Sequence, residues 1–158
     1  MLRSAYHYFH PNTDGAAQAR FFLETLHGDL GELAAALDWE AADGIAPAQQ
    51  IEAADSWFSV VDPAYASYAA PPFAYSYSSY FSALNLPARY ASRPLWLAGY
   101  VPLAKLVIPP PWTKFDLWQN AGDAKTPSVP GISDDLAKDF DVFPGDADEL
   151  VAKYGPKK

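Results

Sequence analysis

Short apolar runs alternate with helical segments along the first half of this chain, and that alternation constrains the fold most. "RSAYHYF" (residues 3–9) reads as an aromatic-rich strand, and "HPNTDG" as the turn after it. "GAAQARFFLETLHG" (15–28) reads as a helix, with Ala17, Phe21, Leu23 and Leu26 near helical spacing and Gly28 closing it. "ELAAALDW" (32–39) is short and apolar, as a strand buried on both faces requires. Residues 47–69 read as a helix with a frayed end at Asp62-Pro63. "PPFAYSYSSYF" (71–81) is a strand started by prolines, and "SSYFSALNL" (78–86) supplies a short helix. Strand and helix in turn predict a parallel sheet.

The second half carries strands with little helix between them: "RPLWLAGY" (93–100), "TKFDLWQNAG" (113–122) and "KDFDVFPG" (138–145). "TPSVPGISDDLA" (126–137) reads as loop. "DADELVAKYG" (146–155) is a terminal helix with Asp146 near its N-cap. The total is about six strands, where a closed parallel barrel needs eight. No glycine-rich phosphate loop follows any strand, which weighs against a nucleotide-binding open sheet.

Composition narrows the function. The chain has 158 residues, the size of one domain, and 50% hydrophobic content is ample for a core. A formal charge of −8 without a basic cluster argues against nucleic acid as a partner. Cysteine is absent, so disulfides and thiolate metal sites are excluded. "MLRSAYHYFH" lacks the apolar core of a signal peptide, so synthesis in the cytoplasm is expected. The longest apolar stretch, "PLWLAGYVPLAKLVIPPPW", is broken by prolines and Lys105 and falls short of the roughly 18 residues of a membrane helix. Most of the 15 prolines lie in the second half and imply long ordered loops there.

The strand "ELAAALDW" runs into Asp38-Trp39-Glu40. Residues i and i+2 of a strand project to one side, so Asp38 and Glu40 face together, about 6.5 Å apart at Cα, and Trp39 faces the opposite layer. They stand at the strand's C-terminal end, where α/β folds bind ligands. Two carboxyls this close raise one pKa and create a candidate general acid, the arrangement glycoside hydrolysis uses. The competing interpretation is two solvated acids at a strand end. His7 and His10 flank a turn without a third ligand, so no metal site is expected. Ser78 and Ser79 lack a nucleophile elbow. The aromatics Tyr6, Tyr8, Tyr75, Tyr77, Trp96, Tyr100, Trp112 and Trp118 cluster at strand ends, where rings hold sugars by apolar contact.

Taken in order, these segments resemble the glycoside hydrolase family 25 lysozymes, the Chalaropsis-type muramidases. "AYHYFHPNTDGAAQARFF" looks like that family's third strand and following helix, and "LDWE" like its fourth-strand Asp-x-Glu. "PPFAYSYSSYF", "PLWLAGY" and "WTKFDLWQNAG" are similar to its fifth, sixth and seventh strands. "KDFDVFPG" resembles its last strand, with Lys138 and Asp141 in place of the usual Val and Asn. The resemblance implies a (β/α)-barrel and cleavage of the β-1,4 bond between N-acetylmuramic acid and N-acetylglucosamine in peptidoglycan. It implies Glu40 as acid/base, Asp38 as its assistant at the acetamido group, and Asp139 helping to hold the site. Tyr6, Tyr8, Tyr75, Trp96, Tyr100, Trp118 and Gln119 would contact sugar, with no cofactor, no metal and no membrane partner. A chitinase-type barrel would need Asp where this chain has Leu33 and Ala36.

The family's first strand, with Asp-x-Ser, and its second, with a Lys-Ala-(Thr/Ser)-Glu-Gly-like motif, have no counterpart here. Residues 1–158 are therefore expected to form one hydrolase-like domain truncated at its N-terminus, with about six of eight strands and an open barrel. Three origins are compatible with this: first, a piece of a split or mis-started gene, the expected one; otherwise a second chain or swapped copy that supplies the strands, or an impaired fragment folding alone. The function expected is that of a phage lysin or secreted autolysin acting on the bacterial wall. The alternative is an inactive protein that binds wall glycans.

Overall fold

The computed structural model describes residues 1–122 and 139–157. The loop expected over residues 126–137 lies outside them. Six strands form one sheet in sequential order: β1 (Tyr6–Tyr8), β2 (Ala36–Asp38), β3 (Phe73–Tyr77), β4 (Leu95–Ala98), β5 (Leu117–Ala121) and β6 (Phe140–Val142). The first five are parallel, each step in register: Tyr8 beside Asp38, Asp38 beside Tyr75, Tyr75 beside Trp96, Ala98 beside Gln119. β6 departs from the parallel expectation and runs antiparallel to β5, a pairing that needs no crossover helix. Among the described residues β1 and β6 stay unjoined, so the sheet is open, as six strands in place of eight demand.

The helices are α1 (Gly15–Thr25), α2 (Pro47–Val61), α3 (Ser78–Leu84) and α4 (Ala147–Tyr154). α1 starts where Asp14 Oδ1 accepts the Ala17 N–H at 3.0 Å. α2 ends at the expected Asp62-Pro63 break, and a 3-10 turn (Asp62–Tyr65) continues from it. α4 has a complete capping box: Asp146 Oδ1 accepts from Glu149 N, and Glu149 Oε2 from Asp146 N. Two further 3-10 turns, Ala88–Ser92 and Leu103–Lys105, occupy segments the sequence pattern left unassigned.

α1 and α2 pack so closely that a Cβ on Gly15 would lie 2.0 Å from the Ala53 carbonyl oxygen. That approach turns Ala19 and Phe22 inward and leaves Phe21 65% exposed, so Phe21 does not belong to the buried face its spacing suggested. Behind the sheet, Trp39 is fully buried against Phe9, Phe81 and Tyr90. Trp57 stacks on His7 in the same layer. Burying several large rings is the main apolar stabilisation, at about 25 cal/mol per Å² removed from water.

The C-terminal segment seals the foot of the sheet. Ala34 N–H donates to the Tyr154 carbonyl at 2.9 Å and Ala69 N–H to the Gly155 carbonyl at 2.8 Å. Tyr154 is buried on Phe73. At the opposite end, where the parallel strands finish, the described residues form a cavity.

Candidate active site

Alternation along each strand decides what faces the open end. Tyr6 on β1, Ala36 and Asp38 on β2, Tyr75 on β3, Trp96 on β4 and Gln119 on β5 all point to one side. They surround a cavity of about 350 Å³ together with Glu40, Tyr100, Asp139 and Asp141. Ala36, the small residue one step below Asp38, leaves room for its floor.

The chain crosses into the site through regular backbone bonds. Phe9 N–H donates to the Asp38 carbonyl at 2.8 Å, and Trp39 N–H to the Tyr75 carbonyl at 2.9 Å. These bonds hold Asp38-Trp39-Glu40 extended beyond β2, so the two carboxyls share the cavity while Trp39 locks into the core.

Asp38 is only 9% exposed, and its Oδ1 has no hydrogen-bond partner among the described residues. Burial, the charge of Glu40 and the hydrogen bond between the two push its pKa up to about 7. Glu40 is raised as well, by burial and by the charge of Asp139, and the bond from Asp38 opposes that shift. Both carboxyls are therefore held above the ordinary carboxylate range, and their titrations are coupled. Glu40 is the more exposed member, and both carboxyls line the cavity.

Polar ties orient the aromatic wall. Gln119, 5% exposed, accepts at Oε1 from both the Tyr75 hydroxyl (2.8 Å) and the Tyr100 hydroxyl (2.9 Å). The Trp96 indole N–H donates to Asp141 Oδ1 at 2.6 Å, and its ring meets Tyr75 edge-on. Gly122 is required where Tyr100 and Asp139 converge: a Cβ there would lie 2.5 Å from the Tyr100 hydroxyl and 2.7 Å from Asp139 Oδ1.

Of the ten candidates read from the sequence, eight line the cavity: Glu40, Asp38, Asp139, Tyr6, Tyr75, Trp96, Tyr100 and Gln119. Tyr8 stands beside Asp38 in register but outside the lining, 46% exposed and edge-on to His10. Trp118 is turned away. It follows Leu117 and precedes Gln119 on β5, so it must face the side opposite Gln119, where its N–H donates to the Gly99 carbonyl at 2.8 Å. Asp141 is the residue the sequence missed as a participant; its signal is the two-residue step from Asp139.

The remaining candidates have structural partners. His7 Nε2 lies 3.1 Å from Gln18 Oε1, and burial lowers its pKa. His10 Nδ1 lies 3.1 Å from Asp43 Oδ2. Among the described residues no group of three or more His, Asp or Glu is arranged to hold a metal ion. Ser78 and Ser79 open α3, and Trp112 is buried with its N–H on the Arg93 carbonyl.

The model of the glycosyl hydrolases family 25 matches residues 1–129. Uncharacterized protein YegX of Escherichia coli K12 is 30% identical over 152 residues, 96% of this chain and 52% of that protein. The chain thus spans about half the length of the curated relatives it matches. The bacterial lysozyme of Streptomyces coelicolor superposes with a TM-score of 0.75 at 22% identity, covering 98% of this chain and 72% of that one. A muramidase from Acremonium alcalophilum superposes with a TM-score of 0.70 at 23% identity, over 95% and 71%. These likenesses show the fold.

Proposed function

The chain belongs to glycoside hydrolase family 25, and we propose that it acts as a peptidoglycan hydrolase cleaving the β-1,4 bond between N-acetylmuramic acid and N-acetylglucosamine. The observation that carries this is the Asp38–Glu40 carboxyl pair inside an aromatic-walled cavity at the C-terminal end of a parallel sheet, both members raised by burial. Solved lysozymes and muramidases of the same fold support it.

Glu40 is the acid/base in this proposal. Its carboxyl gives a proton to the glycosidic oxygen as the bond breaks, and the resulting carboxylate takes one back from the attacking water. Asp38 is placed beside it to stabilise positive charge at the sugar's anomeric carbon or to orient its acetamido group. Asp139, which already raises the Glu40 pKa through its charge, helps keep that proton in place. Tyr6, Tyr75 and Trp96 offer flat apolar contact to sugar rings.

The test is incubation of the chain with purified peptidoglycan, with reducing ends counted and the products identified by mass spectrometry. New reducing-end muramic acid that disappears with Glu40→Gln supports the proposal. Wild-type rates in Glu40→Gln exclude Glu40 as the acid. Retention on cell walls without release of reducing ends would instead identify a glycan-binding protein.

A further inference from the structure

One loop beside the cavity keeps its apolar side chains in water. Tyr100, Val101, Leu103 and Val107 are between 41% and 63% exposed and fall within eight consecutive residues between β4 and β5. Exposed apolar residues are ordinary one at a time, whereas a contiguous group marks a binding surface. The loop is held in this shape by its own backbone. Lys105 N–H donates to the Pro102 carbonyl at 2.8 Å and Leu106 N–H to the Leu103 carbonyl at 3.1 Å, closing the 3-10 turn Leu103–Lys105. Leu106 packs so closely over the end of β4 that a Cβ on Gly99 would lie 2.6 Å from its Cδ1. That anchor leaves Leu103 and Val107 on the outside.

Continuity and charge indicate what covers it. The loop begins at Tyr100, which also lines the cavity, so a ligand seated there meets the loop without crossing open solvent. Lys105 adds a cation. It is exposed, and among the described residues no carboxylate pairs with it, whereas Arg3, Arg89, Arg93 and Lys153 each have an acidic partner. The carboxyls of Asp38, Glu40, Asp139 and Asp141 line the cavity itself and repel an acidic group from its interior. The loop therefore suits an acidic, methyl-bearing group tethered to whatever occupies the cavity. A membrane of anionic lipid would meet the chain's whole charge of −8, but a tethered group meets only the loop.

Peptidoglycan carries such a group. Its muramic acid bears, through the lactyl ether, a short peptide rich in alanine methyls and free carboxylates. Four extended residues reach roughly 13 Å from the sugar, at about 3.3 Å per residue. Tethering makes the second contact intramolecular, so a small surface suffices. We propose that the loop of residues 100–107 binds this peptide branch, its methyls on Val101, Leu103 and Val107 and a carboxylate on Lys105. The inference rests on the hydrolase reading for the sugar in the cavity and adds the peptide branch to its substrate.

The experiment is calorimetric binding of two probes to the 158-residue chain. One is the disaccharide N-acetylglucosaminyl-N-acetylmuramic acid. The other is the same disaccharide carrying its alanyl-glutamyl-diaminopimelyl-alanine tetrapeptide. In both, the internal bond runs from N-acetylglucosamine to N-acetylmuramic acid, the reverse of the one proposed to be cut. The peptide-bearing probe should bind at least about fivefold tighter at low salt, and rising salt should erode the part that Lys105 supplies. Leu103→Ser and Lys105→Gln should each reduce the preference, and the double variant should bring the two affinities together. Arg20→Gln, on the exposed side of α1, should leave the preference intact and so exclude a response to net charge alone. Equal affinities in the wild type, no binding of either probe, or a preference unchanged in the double variant overturns the proposal. So does co-sedimentation with phosphatidylglycerol vesicles in place of a peptide preference. Cleavage of peptidoglycan without a peptide preference sinks this inference alone. A peptide preference without cleavage of any glycan sinks the hydrolase assignment alone.

Discussion

Two aspartates at opposite ends of the sheet are equally buried and titrate in opposite directions. Asp116, at the foot, is 8% exposed, and Asp38, at the open end, is 9% exposed. Burial pushes both upward. At Asp116 that effect is outweighed by the Tyr154 hydroxyl (2.7 Å), the Leu95 N–H (3.0 Å) and the Lys153 ammonium (3.0 Å), which together hold it below the ordinary carboxylate range. Asp38 has a second carboxyl for a neighbour and an oxygen without a partner among the described residues, and none of these offsets its burial. A carboxylate surrounded by donors ties secondary structure together, whereas one starved of them retains a proton and a reason to bind something.

The largest expected effect separates the two ends by activity. Glu40→Gln should lower turnover on peptidoglycan by about 10²–10⁴-fold, the range for loss of a general acid. Its melting temperature should stay within a few degrees of wild type. Asp116→Ala should do the reverse, costing about 1–3 kcal/mol for each buried donor, the Tyr154 hydroxyl and the Leu95 N–H, left without an acceptor, as urea unfolding would show.

Asp38→Asn tests the sign of the other half. The folded pKa of about 7 lies above the ordinary value of 3.8. Asp38 therefore favours the fold fully below pH 4, and that contribution is lost as pH rises through 7. The Asn variant should be more stable than wild type at pH 8, by about 1–3 kcal/mol, with the gain shrinking toward pH 4. Wild-type turnover should fall as pH rises through about 7, when Asp38 ionises beside Glu40. A rate independent of pH from 5 to 8 would remove the pair from the mechanism.

The smallest effect contrasts two tryptophans. Trp96→Phe should raise KM several-fold by freeing Asp141 and loosening the aromatic wall. Trp118→Phe should leave KM unchanged and cost about 1 kcal/mol for the lost bond to Gly99. Equal effects on KM would contradict the assignment of the two rings to opposite faces.

Much of this was legible in the chain because it follows from local covalent geometry. The two-residue period of a strand places Asp38 and Glu40 on one side and Trp39 on the other, and the structure keeps that division. Asp146 announces the cap of α4 for the same local reason. The same period, applied to Trp118 and Gln119, forbids both from entering one cavity, but which of the two enters depends on the register of β5 against β4. Phe21 and Phe22 pose the equivalent problem on α1, resolved by the approach of Gly15 to α2.

What the sequence by itself determined is the order of strands and helices, the acidic pair and the rings available to it, since these depend on period, composition and nearest neighbours. Only the tertiary structure decided that β6 runs antiparallel, that Gln119 ties Tyr75 to Tyr100, and that Asp141 holds Trp96 across 45 residues of chain. It also decided that one buried aspartate finds three donors and the other, among the described residues, is left short of them. The physical reason is that hydrogen bonds and pKa values depend on distances through space, and residues far apart in sequence acquire such distances only when the sheet assembles.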